Sequence, residues 1–216
     1  MNPLFEARDV RRVFRSAAGD VRALDGVSVA VPRGAFLAIT GPSGKGKTTL
    51  LALLGALDRP TSGLVLFDGE DLGGASEPHR ARVRRRLGIV FQASPMIERL
   101  PLWENVTYPL VPRGVRTRER RRLAAALLER VGITGRDAAR PEELSGGERQ
   151  RLGIARALAG KPEAILADEP TSDLDRATAE AVVGLFRELH AAGRTVVVAT
   201  HDPVLEAMAT DTLRLG

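Results

Sequence analysis

Residues 41–49 read GPSGKGKTT, a glycine-rich turn that closes on a lysine and two hydroxyls. Glycines let backbone N–H groups approach an oxyanion with no side chain in the way, and an ammonium and a hydroxyl complete a site for polyphosphate and its metal. The expected contacts run through Gly41, Pro42, Ser43, Gly44, Lys45, Gly46, Lys47, Thr48 and Thr49, with Lys47 on the β and γ phosphates and Thr48 on Mg2+. A leucine-rich helix over 48–57 would add the positive end of its dipole. Only three lysines stand among the 32 basic residues, and two of them, Lys45 and Lys47, are in this loop. In a chain that otherwise uses arginine, Lys47 points to a need for a compact ammonium rather than a planar fork. Lys45 has two readings, a phosphate contact or a side chain in solvent.

Two carboxylates close the apolar run ILADE at 165–169. At the end of a strand, Asp168 reaches Mg2+ directly or through water, and Glu169 within hydrogen-bond reach of a water orients and deprotonates it for attack. Gln92 follows the run LGIVF, and His201 follows TVVVAT. The segment LSGGERQRLGIARAL at 144–158 opens with small residues and continues as an amphipathic helix, so Ser145, Gly146 and Gly147 form a second helix-start anion site. Such a Ser-Gly start alone is an ordinary N-cap. Beside a single magnesium-binding set, it is explained most simply if it closes over a nucleotide held by another copy of the chain. The chemistry expected of the whole set is hydrolysis of ATP.

These groups need a scaffold that brings strand ends together. The apolar runs 35–40, 87–91, 164–167 and 195–200 each lead into a polar residue. Continuous rather than alternating apolar runs, separated by helical stretches, indicate strands buried on both faces of a parallel sheet, where ligands collect at the carboxyl ends. The first thirty residues instead alternate, with turns at Gly19-Asp20 and Pro32-Arg33-Gly34, and predict an antiparallel β lobe. The segment from Gln92 to Gly160 predicts an inserted helical lobe, its clearest helices at 116–131 and 148–158. The expectation is one α/β domain over 1–216, with the helical lobe at about 93–160.

The 216 residues, 44% hydrophobic, suffice for a substantial core. Without cysteine the chain has neither disulfides nor thiolate metal sites, which fits a reducing cytosol. The first residues lack a signal-peptide layout, and the longest apolar stretch, 50–57, is too short to span a bilayer, so the chain is not expected to cross a membrane. The short segment after His201 is not expected to house a regulatory domain. The net charge of +5 comes with three lysines among 32 basic residues, a ratio read as coding bias. Arginine clusters at 80–86 and 116–122 have two readings, solvated helix faces or contacts to phospholipid or nucleic acid. At 4% aromatic content there is little to interleave as a base-stacking surface, and no nucleic-acid partner is expected.

The order of GPSGKGKTT, Gln92, LSGGE, ILADEP, Ser172-Asp173-Leu174-Asp175 and His201 resembles the nucleotide-binding subunits of ABC transporters over nearly the whole chain. The resemblance implies a phosphate-loop ATPase core and a head-to-tail dimer holding two ATP, with Ser145 and Gly147 of one copy facing the γ-phosphate bound by the other. It further implies that Phe14 stacks on adenine, that Gln92 senses Mg2+ and a membrane partner, and that His201 contacts the γ-phosphate; Asp175 would lie at the dimer seam. LLGALDRPTSG at 53–63, Trp103-Glu104-Asn105-Val106 and Pro109-Leu110 look like the subfamily of lipoprotein-releasing, macrolide-exporting and cell-division ATPases. Three departures stand out: Lys45 replaces a small residue, Phe14 a more frequent Tyr, and Asp173 an Ala or Asn.

The expected protein is thus an ATPase subunit on the cytoplasmic face of the inner membrane, a homodimer in its ATP state. It would drive a separate permease, as an exporter or extracting system, through the lobe around 92–110. The other reading is a mechanical regulator of a membrane partner that moves no cargo. A DNA-repair ATPase would need long coiled-coil or zinc insertions between the phosphate loop and LSGGE, which this chain lacks.

Overall fold

The computed structural model of the chain describes residues 2–15, 19–172 and 174–216. In chain order its elements are β1 (Phe5–Phe14), β2 (Val21–Val31), β3 (Phe36–Thr40), α1 (Lys47–Leu54), β4 (Ser62–Phe67), β5 (Glu70–Asp71), α2 (Glu77–Arg84) and β6 (Leu87–Val90). There follow α3 (Leu102–Thr107), a 3-10 turn at Tyr108–Arg113, α4 (Thr117–Arg130), α5 (Gly146–Leu158), β7 (Ala164–Asp168), α6 (Arg176–Ala191), β8 (Thr195–Ala199), α7 (Pro203–Met208) and β9 (Asp211–Arg214).

The four continuous apolar runs become β3, β6, β7 and β8, and they pair in parallel in the order β6-β7-β8-β3-β9. Their residues are almost all apolar because both faces of the sheet are covered, and the β-branched run of β8 in particular suits a pleated surface. The edge strand β9 has no such signature: its residues DTLR are mostly exposed, and it is recruited by hydrogen bonds to β3. The predicted antiparallel lobe forms from β1 and β2, but it also takes in β4 and β5, giving the order β2-β1-β4-β5. Helix α1 joins the two sheets. Its Leu50, Leu53 and Leu54 share one buried cluster with Leu37, Ile39 and Val197 of the parallel sheet and with Phe5, Val65 and Phe67 of the antiparallel one. Each such side chain contributes about 1.5–3 kcal/mol by burial. A second cluster packs α3, α4, α5 and α6 together with Val90, Ile165, Ala167, Val196 and Val198.

The arginine clusters have structural work that neither sequence reading anticipated. Arg80 is 3% exposed, and its Nη2 donates to the carbonyls of Ala56 at 2.8 Å and Asp58 at 2.9 Å, just beyond the C-terminal end of α1. Arg84 Nη1 donates to the same Ala56 oxygen at 2.9 Å. Two guanidinium groups therefore hold the carbonyls of the turn that follows α1, beside the negative dipole end of the helix that starts at the phosphate loop. Burial pulls the Arg80 guanidinium down from its ordinary range. Arg86 bridges Glu163 and Asp68, both of which Arg33 also contacts, so an alternating ring of charges ties the β2–β3 and β4–β5 turns to the approaches of β6 and β7. In the second cluster Arg120 and Arg121 lie over the Trp103 ring, at 5.3 and 4.6 Å.

Candidate active site

The carboxyl ends of β3, β6, β7 and β8 open onto one cavity of about 590 Å3. Ser43, Gly44, Gly46, Lys47, Thr48, Thr49, Gln92, Asp168, Glu169 and His201 line it, so most of the expected set converges. The loop needs glycine at 46: φ is +87°, and a Cβ there would lie 2.2 Å from the Ala23 carbonyl oxygen of β2. That contact also makes Ala23 part of the cavity wall.

Lys47 is 7% exposed and folds back over its own loop. Its Nζ donates to Gly41 O at 2.8 Å and to Pro42 O at 3.3 Å, lies 2.9 Å from His201 Nε2, and stands 3.9 Å from Glu169 Oε1. Gly41 and Pro42 thus sit behind the cavity and position the lysine through their carbonyls. Lys45 is exposed and is not part of the wall.

Glu169 is held tightly. Its φ is +44°, in the left-handed region that a non-glycine residue enters only at a cost. The turn is fixed from several directions: Glu169 N–H donates to Ala199 O at 2.9 Å, Ser172 Oγ donates to Glu169 O at 2.9 Å, and His201 N–H donates to Glu169 Oε2 at 3.2 Å. The carboxylate is aimed into the cavity beside Lys47 and His201. Asp168 Oδ1, next to it, is buried without a partner. A buried, unpartnered carboxylate oxygen is costly unless a cation takes it, and Mg2+ is commonly held by one carboxylate, a hydroxyl and substrate phosphates. Asp168, Thr48 and Gln92 around one cavity fit that donor set.

Other expected residues lie elsewhere. Phe14, at the end of β1, is not part of the cavity wall; the residue is 42% exposed and its ring packs under the Arg12 guanidinium at 4.4 Å. Ser145, Gly146 and Gly147 open α5, away from this cavity. There Ser145 Oγ accepts from Glu148 N–H at 3.2 Å while Glu148 Oε2 accepts from Ser145 N–H at 2.9 Å, a reciprocal capping box. The hydrogen bond from Ser145 N–H, reinforced by Arg136, holds the Glu148 carboxyl below its ordinary range. Asp175 caps α6, accepting from Thr178 N–H at 3.0 Å. Asp173 lies outside the described residues. Thr171 and Asp202 line the cavity without having been read from the sequence; each stands within two residues of a motif position, which was their only signal.

A family model described as ABC transporter matches residues 24–172. The chain belongs to the ABC transporter family. It is an ATP-hydrolysing ABC cassette of the kind that uses Mg2+. An uncharacterized ABC transporter ATP-binding protein of Thermotoga maritima is 48% identical over 94% of this chain and 87% of its own length. The macrolide export ATP-binding/permease protein MacB of Hyphomonas neptunium is 44% identical over 96% of this chain, which spans only 32% of that longer protein. Among solved structures, the ATP-binding cassette MJ0796, a dimer in a post-hydrolysis state bound to ADP and Pi, superposes with a TM-score of 0.92 at 36% identity, covering 98% of this chain and 94% of that one. This ABC cassette therefore has the expected fold, and MacB matches the expected subfamily. Among its described residues no helix is long and apolar enough to cross a membrane.

Proposed function

We propose that this cassette, one domain over 1–216 with its helical lobe at 93–160, is the motor subunit of a membrane transporter. It pairs head-to-tail on ATP, hydrolyses it and drives a separate permease from the cytoplasmic face of the inner membrane. The observation that carries the pairing is the position of α5. Its capped, glycine-rich start is built for an anion yet stands apart from the cavity of its own chain, so a second copy is the simplest source of the phosphate it would meet.

In this reading the Gly41 to Thr49 loop and Lys47 hold the phosphates, with Ser145, Gly146 and Gly147 of the other copy closing on the γ-phosphate. Thr48, Asp168 and Gln92 hold Mg2+, whose chemistry is to neutralise charge on the phosphate oxygens. Glu169 accepts a proton from water as its oxygen bonds to the γ-phosphorus, and the bond to the β-phosphate oxygen breaks with its electrons leaving on ADP. His201 holds Lys47 and the γ-phosphate region in register. Exposed Phe91, with Pro95 and Pro109, lines a groove of about 360 Å3 between the β6 edge and the helical lobe, the surface offered to the permease.

The decisive experiment uses Glu169→Gln, which should bind ATP normally and lose turnover by about 10²–10⁴-fold. Trapped with ATP and used as bait in native membranes, it should retain an integral membrane protein in detergent. Normal turnover would remove Glu169 from its role, and recovery of soluble or nucleic-acid partners alone would overturn the transporter reading.

A further inference from the structure

The second arginine cluster is only partly spent inside the protein. Arg120 and Arg121 cover Trp103, whereas Arg116, Arg118 and Arg122 are exposed and, among the described residues, have no carboxylate partner. Arg116 immediately precedes α4, and Arg118 and Arg122 stand one turn apart on its exposed side. Cations at the start of a helix oppose its dipole, so this placement does not serve the stability of α4.

Beside them lies a cavity of about 400 Å3 with Leu110, Val115 and Leu123 in its wall. Arg113, Arg122 and Lys161 add three cations to that wall against one acid, Glu119. The 3-10 turn that leads into α4 carries Tyr108 and Val111, 49% and 48% exposed. Exposed apolar side chains set among cations suit the boundary between lipid headgroups and acyl chains. Arg113 and Gly160 line both this cavity and the groove offered to the permease, so the two surfaces are continuous.

We propose that this patch docks on anionic phospholipid headgroups of the leaflet that surrounds the permease. The attraction is diffuse: it needs unpaired cations close to the surface and no fitted pocket. Nucleic acid would match the same cations but would leave Val111 and the apolar cavity wall in water. The position of the patch beside the permease rests on the proposed function.

The test is flotation of the purified chain with vesicles of phosphatidylcholine, alone or mixed with phosphatidylglycerol. The parent should float with the mixed vesicles only, and rising salt should release it. Arg116→Gln, Arg118→Gln and Arg122→Gln combined should weaken that partitioning about 10²-fold, roughly fivefold per charge. Arg82→Gln, Arg187→Gln and Arg214→Gln combined make the same charge change on exposed residues elsewhere and should cost less than about threefold. Removing cations from a helix start should not lower the thermal midpoint, which separates lost docking from lost folding. Equal losses in the two triple variants would reduce the effect to net charge and overturn the proposal. Equal flotation with phosphatidylcholine alone would also overturn it, as would duplex DNA binding that only the first triple variant loses, without flotation. The vesicles hold no permease, so failure of the transporter reading shows in the Glu169→Gln membrane capture and not in this assay.

Discussion

Lys47 Nζ lies 2.9 Å from His201 Nε2, an ammonium against an imidazole nitrogen. Lysine has only donors, so Nε2 accepts and the ring proton sits on Nδ1. Glu169 Oε1 is also 3.3 Å from that Nε2, but one nitrogen cannot accept from Lys47 and donate to Glu169, and the shorter contact decides. The lysine is thereby held over the loop at the position a phosphate would share.

His201→Ala removes the acceptor while sparing the backbone N–H that holds Glu169 Oε2. Turnover should fall about 10²-fold, and ATP affinity should change less than about threefold, since Gly41 O and Pro42 O still hold Lys47. Steady-state kinetics with a fluorescent-nucleotide titration separates the two; an equal loss in both would make His201 a binding residue instead.

Gly46→Ala places a methyl where the Ala23 carbonyl already stands, in a φ that alanine resists. Nucleotide binding should be lost, with destabilisation of about 1–3 kcal/mol. Calorimetric titration and urea unfolding check the two halves, and an ATP-competent variant would contradict the loop geometry.

Arg80→Met should cost about 2–3 kcal/mol, because Ala56 O and Asp58 O lose charged donors inside the protein. On the same helix, exposed Arg82→Met should stay within about 0.5 kcal/mol. Equal denaturation midpoints for both variants would return the first cluster to a solvated face.

The charge ring makes a pH-dependent contribution. The Arg86 hydrogen bond, with help from Arg33, holds Asp68 below its ordinary 3.8 and Glu163 below its ordinary 4.5. Carboxyls with lowered folded values stabilise fully above their unfolded values and lose that contribution as pH falls through the folded ones. Both are about one-third exposed, so solvent screening keeps the effect near 1 kcal/mol. Glu163→Gln should therefore weaken the protein by about that much at pH 7, and the gap to the parent should narrow as pH falls below the ordinary 4.5 of a glutamate in urea titrations.

The strands that carry chemistry were readable because each is a continuous apolar run ending on a polar residue. Of the other strands, β1 and β2 were readable from their alternation, and β4, β5 and β9 were not. The exposed β9 is a strand only because β3 offers it an edge, and β4 had no run to distinguish it. Phe14 was assigned to adenine through the family resemblance, and the fold places it at the exposed end of β1. Arg80 was counted with a surface cluster because charge patterning cannot tell a solvated guanidinium from one that closes a helix end.

By itself the sequence determined the chemical inventory and its order, because a phosphate loop, a strand-end carboxylate pair and a helix-start serine are local structures set by a few neighbouring residues. Only the tertiary structure decided who meets whom. Lys47, Glu169 and His201 converge because β3, β7 and β8 are adjacent in one parallel sheet, whereas Ser145 does not join them because α5 starts outside the strand ends. Through-space distance is fixed by sheet order and packing, and no local pattern encodes it.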